Sequence, residues 1–94
     1  MIRGFRDPAT QQLFHGFVSR KLPPHLDGVG RRKLIMLDAA EDLNDLRAPP
    51  GNRLERLTGN RAGEYSIRIN DQWRICFRWD RGEAYDVEIV DYHR

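Results

Sequence analysis

Glu64-Tyr65-Ser66-Ile67-Arg68-Ile69, then Asn70-Asp71, then Gln72-Trp73-Arg74-Ile75-Cys76-Phe77-Arg78-Trp79, then Asp80-Arg81-Gly82-Glu83, then Ala84-Tyr85-Asp86-Val87-Glu88-Ile89-Val90 form one continuous run. Apolar and polar residues alternate along most of it. A period of two marks strands with one face turned to a core, so the run reads as three strands over 64–69, 72–79 and 84–90. Tyr65, Ile67, Ile69, Trp73, Ile75, Phe77, Trp79, Tyr85, Val87 and Ile89 fall on the apolar face. The short joins Asn70-Asp71 and Asp80 to Glu83 are rich in turn formers, which makes the strands an antiparallel meander. Residues of opposite parity, Glu64, Ser66, Arg68, Arg74, Cys76, Arg78, Asp86 and Glu88, are expected on an exposed face rich in arginine.

Upstream, Arg53-Leu54-Glu55-Arg56-Leu57 reads as a further short strand, and Thr58-Gly59-Asn60-Arg61-Ala62-Gly63 as a turn-rich loop. The breaker Ala48-Pro49-Pro50-Gly51 separates this half from one with helical periodicity. There, Ile2 to Phe5 suits a short strand, and Asp7-Pro8 supplies an N-cap and a proline for the first helical turn. A helix over 8–19 would bury Leu13, Phe14, Phe17 and Val18, with Arg20 and Lys21 at its C-terminal end. After Leu22-Pro23-Pro24, a second helix over 24–40 turns Leu26, Val29, Leu34 and Leu37 inward, while Gly28 and Gly30 each cost it about 1 kcal/mol relative to alanine. Leu43 and Leu46 add one more turn. An antiparallel sheet with one apolar face needs a cover, and the helices offer the apolar surface to provide it. The expected architecture is α+β, two N-terminal helices on one face of a small, mainly antiparallel sheet, in a single domain over residues 1–94.

So short a chain has room for one core and none for a deep cofactor pocket, so a surface or shallow cleft acting on a large substrate is expected, with no cofactor. Lys plus Arg number 16 against 14 Asp plus Glu, a net charge of +2 that is too mild to prove nucleic-acid binding. Only Lys21 and Lys33 are lysines; beyond Gly51 every base is arginine. Arginine grips phosphate with a planar fork, although a GC-rich genome would produce the same bias. A lone Cys76 gives neither a disulfide framework nor a cysteine metal site. No apolar run suits a membrane span or signal peptide, so cytoplasmic residence without membrane contact is expected.

Asp91-Tyr92-His93 follows the last strand directly and gathers groups suited to proton and phosphate chemistry. RNA breaks when a ribose 2′-OH attacks the adjacent phosphorus. A protein catalyst must then supply a proton acceptor, a proton donor and cations around the phosphorane, and needs no metal in principle. His93 suits acid or base, Tyr92 donation or stacking, and Asp91 the orientation of either. Arg74, with Arg68 or Arg78, would balance the added charge. On composition alone, a C-terminal Asp91-Tyr92-His93-Arg94 more often reads as a solvated tail with Tyr92 against the core. His15 and His25 read as surface residues, Trp73 and Trp79 as core, and Arg31-Arg32-Lys33 as a solvated helix face. No phosphate-cradling glycine loop, Ser-His-Asp set or zinc motif is present.

The segments Pro49 to Leu54, Leu57 to Ile67, Asn70 to Phe77 and Tyr85 to His93 together resemble the HigB toxins of the RelE/ParE superfamily, most specifically in Trp73-Arg74-Ile75 and Asp91-Tyr92-His93. The resemblance spans essentially the whole chain. It implies a microbial RNase-like sheet with N-terminal helices and ribosome-dependent cleavage of mRNA in the A site. It also implies neutralisation by a HigA-type helix-turn-helix antitoxin, with operator DNA reached only through that complex. Arg74 becomes the phosphate-stabilising arginine and Asp91, Tyr92 and His93 the C-terminal active group, with Arg61, Arg68, Arg78 and Arg94 as candidate RNA contacts. Some relatives carry a histidine and a lysine where this chain has Glu55 and Thr58. Glu55 therefore reads equally as a replacement base or a surface carboxylate, and Thr58 removes one cation. The alternative is a non-enzymatic toxin of the ParE branch, which shares the fold and binds a protein target such as DNA gyrase.

Overall fold

The computed structural model describes residues 1–92. Helices α1 (Pro8–Phe14) and α2 (Asp27–Ala39) precede strands β1 (Glu55–Arg56), β2 (Glu64–Arg68), β3 (Trp73–Asp80) and β4 (Glu83–Asp91). Short 3-10 turns lie at Pro24–Leu26, Leu43–Arg47, Pro50–Asn52 and Gly59–Arg61. The sheet order is β1-β2-β3-β4, antiparallel throughout. Leu13, Leu26, Leu34 and Leu37 from the helical half pack with Ile67, Ile75, Phe77, Val87 and Ile89 from the sheet, all of them buried. The helices therefore cover one face of the meander.

The N-terminal segment completes the far edge of the sheet. Ile2 bridges Ala84 and Phe5 bridges Val87, both parallel to β4. Farther along, the Ile89 N–H donates to Thr10 Oγ1 at 3.0 Å, and Thr10 in turn donates to Asp7 Oδ1 at 2.7 Å. Asp7 also caps α1 by accepting the Thr10 N–H. One Asp-Thr pair thus starts the helix and satisfies an edge of the sheet.

Four expectations are corrected. α1 ends at Phe14 rather than Ser19, because Gly16 takes φ 91 and closes a Schellman motif, its N–H on Leu13 O and that of Phe17 on Gln12 O. Phe17 and Val18 lie beyond it, exposed, and Arg20 and Lys21 are no longer at a helix end. The strand expected over 53–57 is confined to Glu55–Arg56, since Arg53 at φ 44 turns the chain out of extended geometry. Tyr85 joins the polar face, where Arg78 stacks on it, because an irregularity in the β3–β4 ladder, with Asp86 at φ 52, shifts the parity of β4. Finally, the polar face is only partly open to solvent: Glu64, Ser66, Arg74 and Cys76 are buried, while Arg78 is exposed as expected. Arg6 and Arg61 reach over it and form ion pairs with Glu64 and Glu88, so charge satisfied by charge replaces water there.

Candidate functional site

At the end of the sheet where β1, the β2–β3 turn and the end of β4 meet, an open cleft of about 550 Å³ is lined by Arg53, Glu55, Arg68, Asn70, Asp71, Gln72, Arg74 and Tyr92. Arg74 forms its floor and is only 7% exposed. Its Nε donates to Ser66 Oγ at 2.7 Å and its Nη2 to the Arg53 carbonyl at 2.6 Å. The Tyr92 ring covers the guanidinium at 5.4 Å. Glu55 Oε1 stands 3.4 Å from the Tyr92 hydroxyl, which donates to it. A carboxylate, a phenol and a guanidinium thus share one wall.

Local structure explains the grouping. Arg74 and Ser66 both face the cleft side of the sheet, and Ser66 is paired in register with Glu55 on β1 and Cys76 on β3. The αL turn at Arg53 swings its carbonyl toward Arg74. Asn70 folds the β2–β3 turn by accepting the Gln72 and Trp73 N–H groups. Gln72 then holds the chain end: its carbonyl accepts the Tyr92 N–H at 2.6 Å and its side-chain amide donates to Asp91 Oδ2 at 3.1 Å.

Among the described residues, Arg74 forms no ion pair, which separates it from Arg3, Arg6, Arg61, Arg68 and Arg78. Buried charges are ordinarily paired, so a guanidinium surrounded by neutral acceptors and an aromatic face leaves its charge to an incoming anion. Arg68 borders the same cleft and pairs with Asp71. Arg78 does not reach this wall, and Arg61 lies outside the cleft but lines a second hollow, with Leu57, Thr58 and Asn60, that shares Tyr92. Arg61 bridges Glu64 and Glu88, while Arg78, farther along β3, pairs with Asp86 at 2.8 Å. Asp91 stands beside the cleft through Gln72. His93 and Arg94 lie outside the described residues. Of the residues set aside earlier, His15 packs against Phe5 and Phe14, and Trp73 and Trp79 pack on the core. No group of three or more His, Cys, Asp or Glu side chains able to hold a metal ion occurs among the described residues.

Comparison with known proteins bears on this site. A family model described as the RelE-like toxin of the type II toxin-antitoxin system HigB matches residues 3–93. The chain belongs to the HigB-like toxin family. Among its relatives, Toxin HigB-1 of Vibrio cholerae serotype O1 is 41% identical over 91 residues, covering 96% of this chain and 95% of that protein. Endoribonuclease HigB of Proteus vulgaris is 32% identical over 94 residues, covering 99% and 100%. The YoeB-YefM toxin-antitoxin complex from Staphylococcus aureus contains a chain of the same fold, with a TM-score of 0.60 at 19% identity over 100% of this chain and 99% of that one. The HigB-like assignment makes this chain a toxin of a type II toxin-antitoxin system.

In this HigB-like cleft the sequence reading missed Arg53, Ser66 and Gln72 as site residues. Ser66 was placed on the correct face, but alternation says nothing of burial by distant arms. Gln72 reads in the sequence as the first residue of a strand, whereas it lies in the turn before β3, from which it reaches the chain end. The Arg53 contribution is a backbone carbonyl, which no side-chain pattern reveals.

Proposed function

We propose that this HigB-like toxin is a metal-independent endoribonuclease that cuts messenger RNA in the ribosomal A site and so halts translation. The observation that carries this reading is Arg74, nearly buried, free of any carboxylate partner among the described residues, and lying under Tyr92 in a cleft that also holds Glu55. In the reaction, the ribose 2′-OH attacks the adjacent phosphorus and yields a 2′,3′-cyclic phosphate. The 5′ oxygen of the next nucleotide leaves and takes up a proton. Glu55 is the candidate acceptor for the 2′-OH proton, and His93 the candidate donor to the leaving oxygen. Arg74 stabilises the phosphorane, most effectively because its site is largely closed to water. Tyr92 stacks against a base at the scissile step, and Asp91 orients its neighbours. The name of the Proteus vulgaris relative supports this chemistry.

The partners that go with this reading are a HigA-type helix-turn-helix antitoxin and mRNA held on the ribosome, with operator DNA contacted only by the toxin-antitoxin complex, all in the cytoplasm. Ribosomal RNA then supplies binding surface that a chain of net charge +2 lacks. Among the described residues no helix is long and apolar enough to cross a membrane. Incubating purified toxin with mRNA, with and without programmed ribosomes, tests the proposal. Cuts at A-site codons only with ribosomes are expected. Intact mRNA on ribosomes with toxin in excess would overturn it.

A further inference from the structure

Ser66 is fully buried at the centre of the sheet, between Glu55 on β1 and Cys76 on β3. A serine has weak strand propensity and nothing apolar to contribute there, so its presence in the interior calls for a polar role. That role is visible in its hydroxyl, which accepts from Arg74 Nε at 2.7 Å. The other strong contact of the guanidinium is also neutral, the Arg53 carbonyl at 2.6 Å. An aspartate or glutamate at this position would orient Arg74 equally well but would cancel its charge. Elsewhere on the same face the chain uses the charged solution: Arg61 is held by Glu64 and Glu88. The contrast across one sheet face shows two ways of holding an arginine, and the one used for the buried Arg74 leaves its field intact.

We propose that Ser66 is a positioning residue whose neutral hydroxyl aims the Arg74 guanidinium at the cleft without neutralising it. The proposal rests on the nuclease reading only for the nature of the anion. With Nε and Nη2 committed to Ser66 and Arg53, the contacts among the described residues leave Nη1 for a phosphate oxygen. The hydroxyl thereby fixes the plane in which that remaining nitrogen meets its substrate.

A thermodynamic cycle tests it. Ser66→Ala, Arg74→Met and the double variant are compared for ribosome-dependent cleavage and for affinity toward a 2′-deoxy trinucleotide that cannot be cut, with circular dichroism confirming the fold. Ser66→Ala is expected to lower kcat about 10- to 100-fold with KM changed little. Adding it to Arg74→Met should cost nothing further, since Ser66 acts through Arg74. Ser66→Asp, which keeps an acceptor and adds a charge, should abolish trinucleotide binding. Equal losses from Ser66→Ala with or without Arg74, or wild-type trinucleotide affinity in folded Ser66→Asp, would overturn the proposal. If the wild type and Ser66→Ala bind the trinucleotide and folded Ser66→Asp does not, yet no RNA is cut, the nuclease reading falls and the role of Ser66 stands.

Discussion

Arg74 and Cys76 sit two positions apart on one face of β3, and both are buried, yet their surroundings push their chemistry in opposite directions. Arg74 is aimed at a cleft with its charge unpaired among the described residues, and replacing it by lysine should show what the fork contributes. Lysine keeps the charge but cannot serve Ser66, Arg53 and a phosphate in one plane. Cleavage by Arg74→Lys should fall about 100- to 1,000-fold in kcat, measured on programmed ribosomes. Retained wild-type kcat would mean that charge alone suffices. Burial pushes the Cys76 thiol up from 9.0 to about 11, against the smaller opposing pull of Arg61. The unfolded chain then loses the thiol proton at lower pH than the folded one. Stability is therefore unaffected by this group below pH 9 and falls as pH rises from about 9 to about 11. Urea titrations across that range should show the decline, and Cys76→Ala should remove that part of it. The sequence made Arg74 a candidate through its resemblance to a family, but the burial that gives the residue its force comes from Tyr92 and the Arg53 turn, which are distant in the chain.

At the scale of elements, strand periods and hairpin turns were legible because alternation and turn chemistry are local. What escaped were places where one backbone torsion outweighs the pattern. The apolar Phe17 and Val18 extend the stripe of α1 on paper, but Gly16 at φ 91 has already ended the helix. A Cβ there would meet nothing within 4 Å, so Gly16→Ala should cost only its backbone strain, about 1 kcal/mol by thermal unfolding. In β4, Asp86 keeps the written alternation intact while its φ of 52 breaks the spatial one, which is why Tyr85 was assigned to the wrong face. The two α2 glycines looked equivalent in sequence and are not. A Cβ on Gly28 would come no nearer than 4.0 Å to Arg32, whereas one on Gly30 would lie 3.1 Å from Leu13 Cδ2, where α1 crosses α2. Gly28→Ala should therefore stabilise the protein by about 0.5–1 kcal/mol through helix propensity, and Gly30→Ala by clearly less. Equal gains would show that the helix contact is looser than its geometry indicates.

For the whole molecule, the deciding quantity is how the charge is distributed rather than its sum. Arg3, Arg6, Arg61 and Arg78 answer carboxylates across the polar face and its margins, so much of the basic content is consumed in holding the fold. Composition alone counted these arginines as equals, and only the assembled sheet separates structural cations from those at the cleft. Among the described residues the cleft presents three guanidiniums, Arg53, Arg68 and Arg74. If these are the cations that meet RNA phosphates, affinity for a 2′-O-methyl oligoribonucleotide should fall with a log–log salt slope of about −2, since each neutralised phosphate of a single strand contributes about −0.7. Fluorescence anisotropy between low and physiological salt measures it directly. A slope of about −4 or steeper that relaxes to about −2 when Arg61 and Arg78 are replaced by glutamine would mean that the ion pairs of the polar face open and join the contact, which would contradict a division of labour between the arginines that build the sheet and those that line its end.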